Sequence, residues 1–177
     1  MPQLGHTPGK EMLGGSSVMD PTSFTVGNDL IGLAGGSPVP LGGTTAVWKS
    51  YVAGFLKVYP KAPPDSLFTV LYYNGMQSII QGLKKTSGDP TALLKGTLAA
   101  LTPTFPNGSV RLDANRNSIQ NAFVVQIVQS NGKLNFKVIK TIPNVTETFG
   151  GLFGPNSPAP SRTLPACTKG TPPPWAK

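Results

Sequence analysis

The chain has 177 residues, enough for one domain with an attached tail, and its 21 glycines and 19 prolines gather toward the two ends. A net charge of +8 comes from 15 Lys and Arg against seven acidic residues. These basic residues are scattered and lack the aromatic interleaving that stacks bases, which argues against a nucleic-acid surface. One histidine, His6, and one cysteine, Cys167, leave no material for a His-based triad, an internal disulfide or a zinc cluster.

The first ten residues read as an irregular lead-in. The stretch from Met1 to Gly5 lacks the charged and apolar regions of a secretory signal. No apolar run approaches the ~20 residues of a membrane span. Met12 and Leu13 read as the end of a short strand entering the loop Gly14-Gly-Ser-Ser17. Small residues there permit a close backbone approach or a positive φ. Asn28 to Leu33 is expected to be a second strand, and Gly35 to Gly43 a crossing segment without regular structure.

Thr44 reads as the N-cap of a helix reaching Tyr59, where Pro60 stops it. Its apolar face carries Val47, Tyr51, Phe55 and Tyr59, with Trp48, Val52 and Leu56 alongside. The next helix is predicted from Ser66 to Lys85, with Phe68, Leu71, Tyr72, Met76, Ile79, Ile80 and Leu83 as its buried stripe. Gly75 and Gly82 inside it suggest another backbone packed closely. Asp89-Pro90 opens a third helix by pairing a cap side chain with a residue whose φ suits the first helical position. That helix should turn Leu93, Leu94, Leu98 and Leu101 inward and end before Pro103.

A short strand over Gly108–Asp113 and a hairpin follow. Its strands, Phe123–Gln129 and Leu134–Lys140, flank Asn131-Gly132, the strongest short hairpin signal because both central residues must take positive φ. Beyond Gly151 the periodicity stops, and the Pro-rich residues 152–177 are expected to be disordered or extended.

Chemistry is hard to place on this pattern. Asp89 caps a helix, Asp113 sits in a turn and Asp65 favours the positive end of a helix; no acid pair has the spacing of a general acid and base. Gly14-Gly-Ser-Ser17 lacks the spaced glycines and lysine of a phosphate loop. Catalysis, a cofactor and a metal site are therefore not expected. Phe68, arriving from a Pro-rich connector, reads either as the first buried residue of its helix or as an aromatic wall at a cleft. Ser16 and Ser17 read either as plain loop residues or as ligand donors.

Taken in order, Glu11-Met-Leu-Gly-Gly-Ser-Ser17, Trp48–Tyr59, Leu67-Phe-Thr-Val-Leu-Tyr-Tyr73, Gly108-Ser-Val-Arg-Leu-Asp113 and Phe123-Val-Val-Gln-Ile-Val-Gln129 form a set. This set resembles the C-terminal portion of the type I periplasmic solute-binding proteins, the group that includes leucine/isoleucine/valine-binding proteins. The resemblance implies an incomplete α/β fold of that type, with parts of two lobes linked by hinge-crossing strands. Residues 1–42 would be a partial distal lobe and 43–117 a partial proximal lobe. Residues 118–151 would be strands returning across the hinge.

It further implies a non-enzymatic substrate-binding component of an ABC importer that lacks its N-terminal half. Such a component lies in the periplasm or another extracytoplasmic space and meets an ABC permease. The alternatives are a ligand-sensing receptor domain and a truncated product with no activity of its own. Phe68 would line the ligand pocket, and Ser16, Ser17 and Asp20 would stand in the loop where amino-acid binders place a carboxylate. Serine there gives a neutral hydrogen bond in place of a charge-assisted one, leaving amides and organic acids beside amino acids as ligands.

Overall fold

The fold comes from a computed structural model that describes residues 5–114 and 116–148. The tail expected to be disordered lies outside the described residues. The framework is a hairpin of two 13-residue strands, β6 (Ser118–Ser130) and β7 (Lys133–Val145). Asn131 and Gly132 turn it with φ of 51° and 73°, as the sequence predicts.

On the other edge of β6 lie two shorter partners. Strand β2 (Ala34–Ser37) pairs antiparallel with Phe123–Gln126, and β5 (Arg111–Leu112) pairs with Ser118–Ile119. Strand β1 (Leu13–Gly14) joins β2 in parallel. Its approach is so close that a Cβ on Gly35 would collide with the Gly14 carbonyl oxygen, so glycine is required there. Strand β7 pairs only with β6 among the described residues, and Lys133, Lys137 and Lys140 are exposed along it.

Two helices pack onto this sheet. Helix α1 (Ala46–Val58) is capped by Thr45, whose Oγ1 accepts the Trp48 N–H at 3.2 Å. Helix α2 (Leu67–Lys85) begins after Ser66. A hydrophobic core joins helices and hairpin: Met19, Leu33, Val39 and Leu41 meet Trp48, Tyr51, Leu67 and Val70 from the helices and Phe123, Val125, Ile127 and Phe136 from the hairpin. Each fully buried aliphatic side chain contributes about 1.5–3 kcal/mol relative to exposure.

Several expectations need correction. The strand expected at Asn28–Leu33 is displaced to Ala34–Ser37, inside the supposed crossing segment. Upstream, Asp20 caps Pro21–Val26 as a 3-10 helix, and Asn28–Leu30 forms another such turn. The third helix is short: α3 (Pro90–Ala92) passes into a π turn over Leu93–Thr97, in which Gly96 weakens regular helix. It buries Leu93 but leaves Leu94 62% exposed, and Leu101 is buried in the segment that follows. The single strand expected at Gly108–Asp113 divides, because β4 (Gly108–Ser109) folds back on β3 (Thr104–Phe105) while β5 joins β6.

The largest correction concerns α2. Its buried residues are Leu67, Val70, Asn74 and Gly82, whereas Phe68, Tyr72, Met76, Ile79 and Ile80 face outward. A helix apolar on most sides does not declare which side is core. Gly82 is filled by the Leu93 side chain, not by backbone, and a Cβ on Gly75 would meet nothing within 4 Å.

Candidate functional site

The loop leaving β1 is a tight turn in which the Val18 and Met19 N–H groups donate to the Gly15 carbonyl at 3.0 and 3.2 Å. It buries Met19 completely and leaves Ser16 and Ser17 exposed. Next comes Asp20, only 3% exposed, with both carboxylate oxygens occupied. Oδ1 accepts the Thr22 N–H at 3.1 Å and the Thr22 hydroxyl at 2.9 Å. Oδ2 accepts the Ser66 hydroxyl at 2.7 Å. Ser66 is the N-cap residue of α2, so Asp20 braces the loop against the start of the helix that carries Phe68.

Asp65 lies beside this brace. Burial pushes its carboxyl above the ordinary value; its own backbone N–H opposes that shift, and the Asp20 charge adds to it.

Phe68, 57% exposed, lies in an open apolar depression on α2 with Leu71, Tyr72, Gly75, Met76 and Ile79. Ser16 lines a different cavity of about 520 Å3, which includes Ala122, Val124 and Ile142 with Gln120 and Glu147. The structure therefore brings Asp20 to the foot of the Phe68 helix but places Ser16 and Phe68 in separate hollows. Ser17 lines neither.

The Ser16 hollow draws on several segments of the chain, whereas the residues around Phe68 all lie on α2. Residues Gln120, Ala122 and Val124 lie on one face of β6, opposite the core residues Phe123 and Val125. A buried amide relay fixes Gln120. Asn74 on α2 donates to Asn107 Oδ1 at 2.8 Å, and Asn107, 1% exposed, donates to Gln120 Oε1 at 2.8 Å. That leaves the Gln120 Nε2 as the free donor of its amide. Glu147 accepts the Asn117 amide at 2.7 Å. An apolar floor with a few converging hydroxyl, amide and carboxylate groups suits a small organic molecule, and the volume lies within the usual ~300–1,000 Å3. Among the described residues no group of three His, Cys, Asp or Glu could hold a metal ion.

Gln120 and Glu147 were missed as site residues in the sequence. The two-residue period of the hairpin would have grouped Gln120 with Ala122 and Val124, but it gives no sign that this face is hollow.

No family model and no curated protein matches the chain. Solved structures do match. A solute-binding protein of an ABC transporter from Rhodopseudomonas palustris BisB5, in complex with 3,4-dihydroxybenzoic acid, superposes with a TM-score of 0.68 at 21% identity. That match covers 76% of this chain and 37% of the other. An ABC transporter substrate-binding protein from Sphaerobacter thermophilus gives 0.66 at 21%, over 73% and 36%. A leucine-binding protein from Thermotoga maritima gives 0.60 at 20%, over 80% and 39%.

The fold is that of the type I periplasmic solute-binding proteins. The chain spans 36–39% of the length of these matches, so it carries part of the type I fold. Within that fold, the Ser66 hydroxyl bonded to Asp20 ties the loop after β1 to the first turn of α2.

Proposed function

We propose that this chain is a ligand-holding portion of the substrate-binding component of an ABC importer. It works outside the cytoplasm, delivers its ligand to an ABC permease and catalyses nothing. Residues 1–42 and 43–117 contribute to two lobes, and 118–151 are the strands returning across the hinge. The observation that carries this reading is the type I fold over about three quarters of the chain. The Asp20–Ser66 brace, which unites the two ligand-facing segments, supports it.

The ligand is a small organic acid, an amide or a branched-chain amino acid. Ser16 and the Gln120 amide offer neutral hydrogen bonds beside an apolar floor, which favours an apolar acid or amide. The Glu147 carboxylate at the same cavity supports the amino-acid alternative, since it could receive an ammonium. Ser16 touches ligand in its hollow, Phe68 offers a separate apolar contact on α2, Ser17 stands at the exposed loop tip, and Asp20, whose oxygens are already engaged, holds the loop in place.

Thermal-shift titration of the 177-residue chain with leucine, leucinamide, benzoate and 4-hydroxybenzoate tests this. At least one ligand should raise the Tm, and Ser16→Ala should raise that ligand's dissociation constant about tenfold, the loss of one good contact. A flat response to all four, with the chain folded by circular dichroism, removes the reading.

A further inference from the structure

Asn74, Asn107 and Gln120 form a hydrogen-bonded chain that has a direction. Two side-chain amides pair only when one gives an N–H and the other an oxygen, so all three must point one way or all the other. Here Asn74 Nδ2 donates to Asn107 Oδ1 and Asn107 Nδ2 donates to Gln120 Oε1, both at 2.8 Å. Reversal would turn Gln120, the member that lines the Ser16 hollow, from a donor into an acceptor.

The buried end decides between the two directions. Asn74 is 7% exposed, and its Oδ1 is buried without a hydrogen-bond partner among the described residues. In the reverse direction that oxygen would accept from Asn107, and both N–H bonds of Asn74 Nδ2 would stand idle in the interior. A buried oxygen lacking a donor is the more tolerable orphan, as the pairing of buried backbone groups shows. Asn107 sits in the turn between β3 and β4, where Asn121 Nδ2 donates to its backbone carbonyl at 3.3 Å and holds it in place. At the hollow, Gln120 Nε2 keeps its N–H bonds for whatever lies there.

We infer that Asn74 and Asn107 are positioning residues that set the hydrogen-bond polarity of the Ser16 hollow. They hold Gln120 with Nε2 as a donor, so the ligand is taken at that point through a carbonyl or carboxylate oxygen. This rests on the reading of the hollow as the ligand site.

Side-chain amide NMR of the 177-residue chain, read as exchange with water, tests it. In the wild-type chain without ligand, the Asn107 Nδ2 protons should exchange about tenfold or more slowly than those of Gln120 Nε2. Asn107→Asp offers only oxygens to both neighbours, so it should draw Gln120 Nε2 onto itself and slow that exchange, which a merely structural role would not do. Whichever of leucine, leucinamide, benzoate and 4-hydroxybenzoate raises the Tm should likewise slow the Gln120 Nε2 exchange. Gln120→Glu, at a half-buried position, should raise the dissociation constant of that compound about tenfold. Gln120 protons as protected as those of Asn107 in the wild-type chain without ligand overturn the inference. A Tm response that leaves the Gln120 amide unchanged overturns it too, with the ligand reading intact. No Tm response to any of the four overturns both.

Discussion

The Ser66 hydroxyl, which would ordinarily cap its own helix, donates instead to Asp20 Oδ2 at 2.7 Å, 46 residues earlier in the chain. The first turn of α2 thereby gives up a local cap for a long-range tie to the loop after β1.

Breaking that tie from its two ends should have unequal effects. Asp20→Ala removes the acceptor for Thr22 N–H, Thr22 Oγ1 and Ser66 Oγ together, and should cost about 2–4 kcal/mol. Ser66→Ala removes one of the three and should cost about 1–2 kcal/mol. Urea unfolding gives both values, and equal losses would show that Asp20 acts only through Ser66.

Asp65 introduces a pH dependence whose sign can be stated. Its folded-state carboxyl titrates above the ordinary value, mainly because it is buried. Folding therefore favours the protonated form, and the stability this group contributes is complete below the unfolded pKa. That stability is lost as the pH rises through the higher folded value. Asp65→Asn should remove this slope and leave the protein more stable at neutral pH, read as Tm against pH at low chain concentration.

Neighbouring glycines in β2 should respond in opposite ways. A Cβ on Gly35 strikes the Gly14 carbonyl and the Met19 side chain, whereas one on Gly36 meets nothing within 4 Å. Gly35→Ala should cost about 3 kcal/mol or more by displacing β1, and Gly36→Ala should change stability by less than about 1 kcal/mol. Thermal unfolding of the two variants side by side is sufficient.

What the sequence discloses follows from where the information is local. Asn131-Gly132 specifies its turn by backbone chemistry alone, and α2 was delimited to within one residue because Ser66 and the Lys84-Lys85 end bracket a continuous pattern. Strand β2 was hidden because Ala34-Gly-Gly-Ser37 has no side-chain alternation to read; its pairing is set by β6, nearly ninety residues away. Burial on α2 was misassigned because both flanks are apolar, and only the position of Tyr51, Leu93 and the sheet decides between them. Of the candidate site, the resemblance singles out the Ser16 loop and Phe68, while the Asn74–Asn107–Gln120 relay links positions too far apart for any spacing rule.

Strand β7 carries a final consequence. Among the described residues its outer rim is unpaired over thirteen residues and would be a template for fibril growth, yet Lys133, Lys137 and Lys140 stand along it, and Pro143 removes one of its backbone donors. Stacked copies would bring like charges within a few ångströms of each other. Salt should weaken that repulsion, so concentrated stocks will keep longest in dilute buffer.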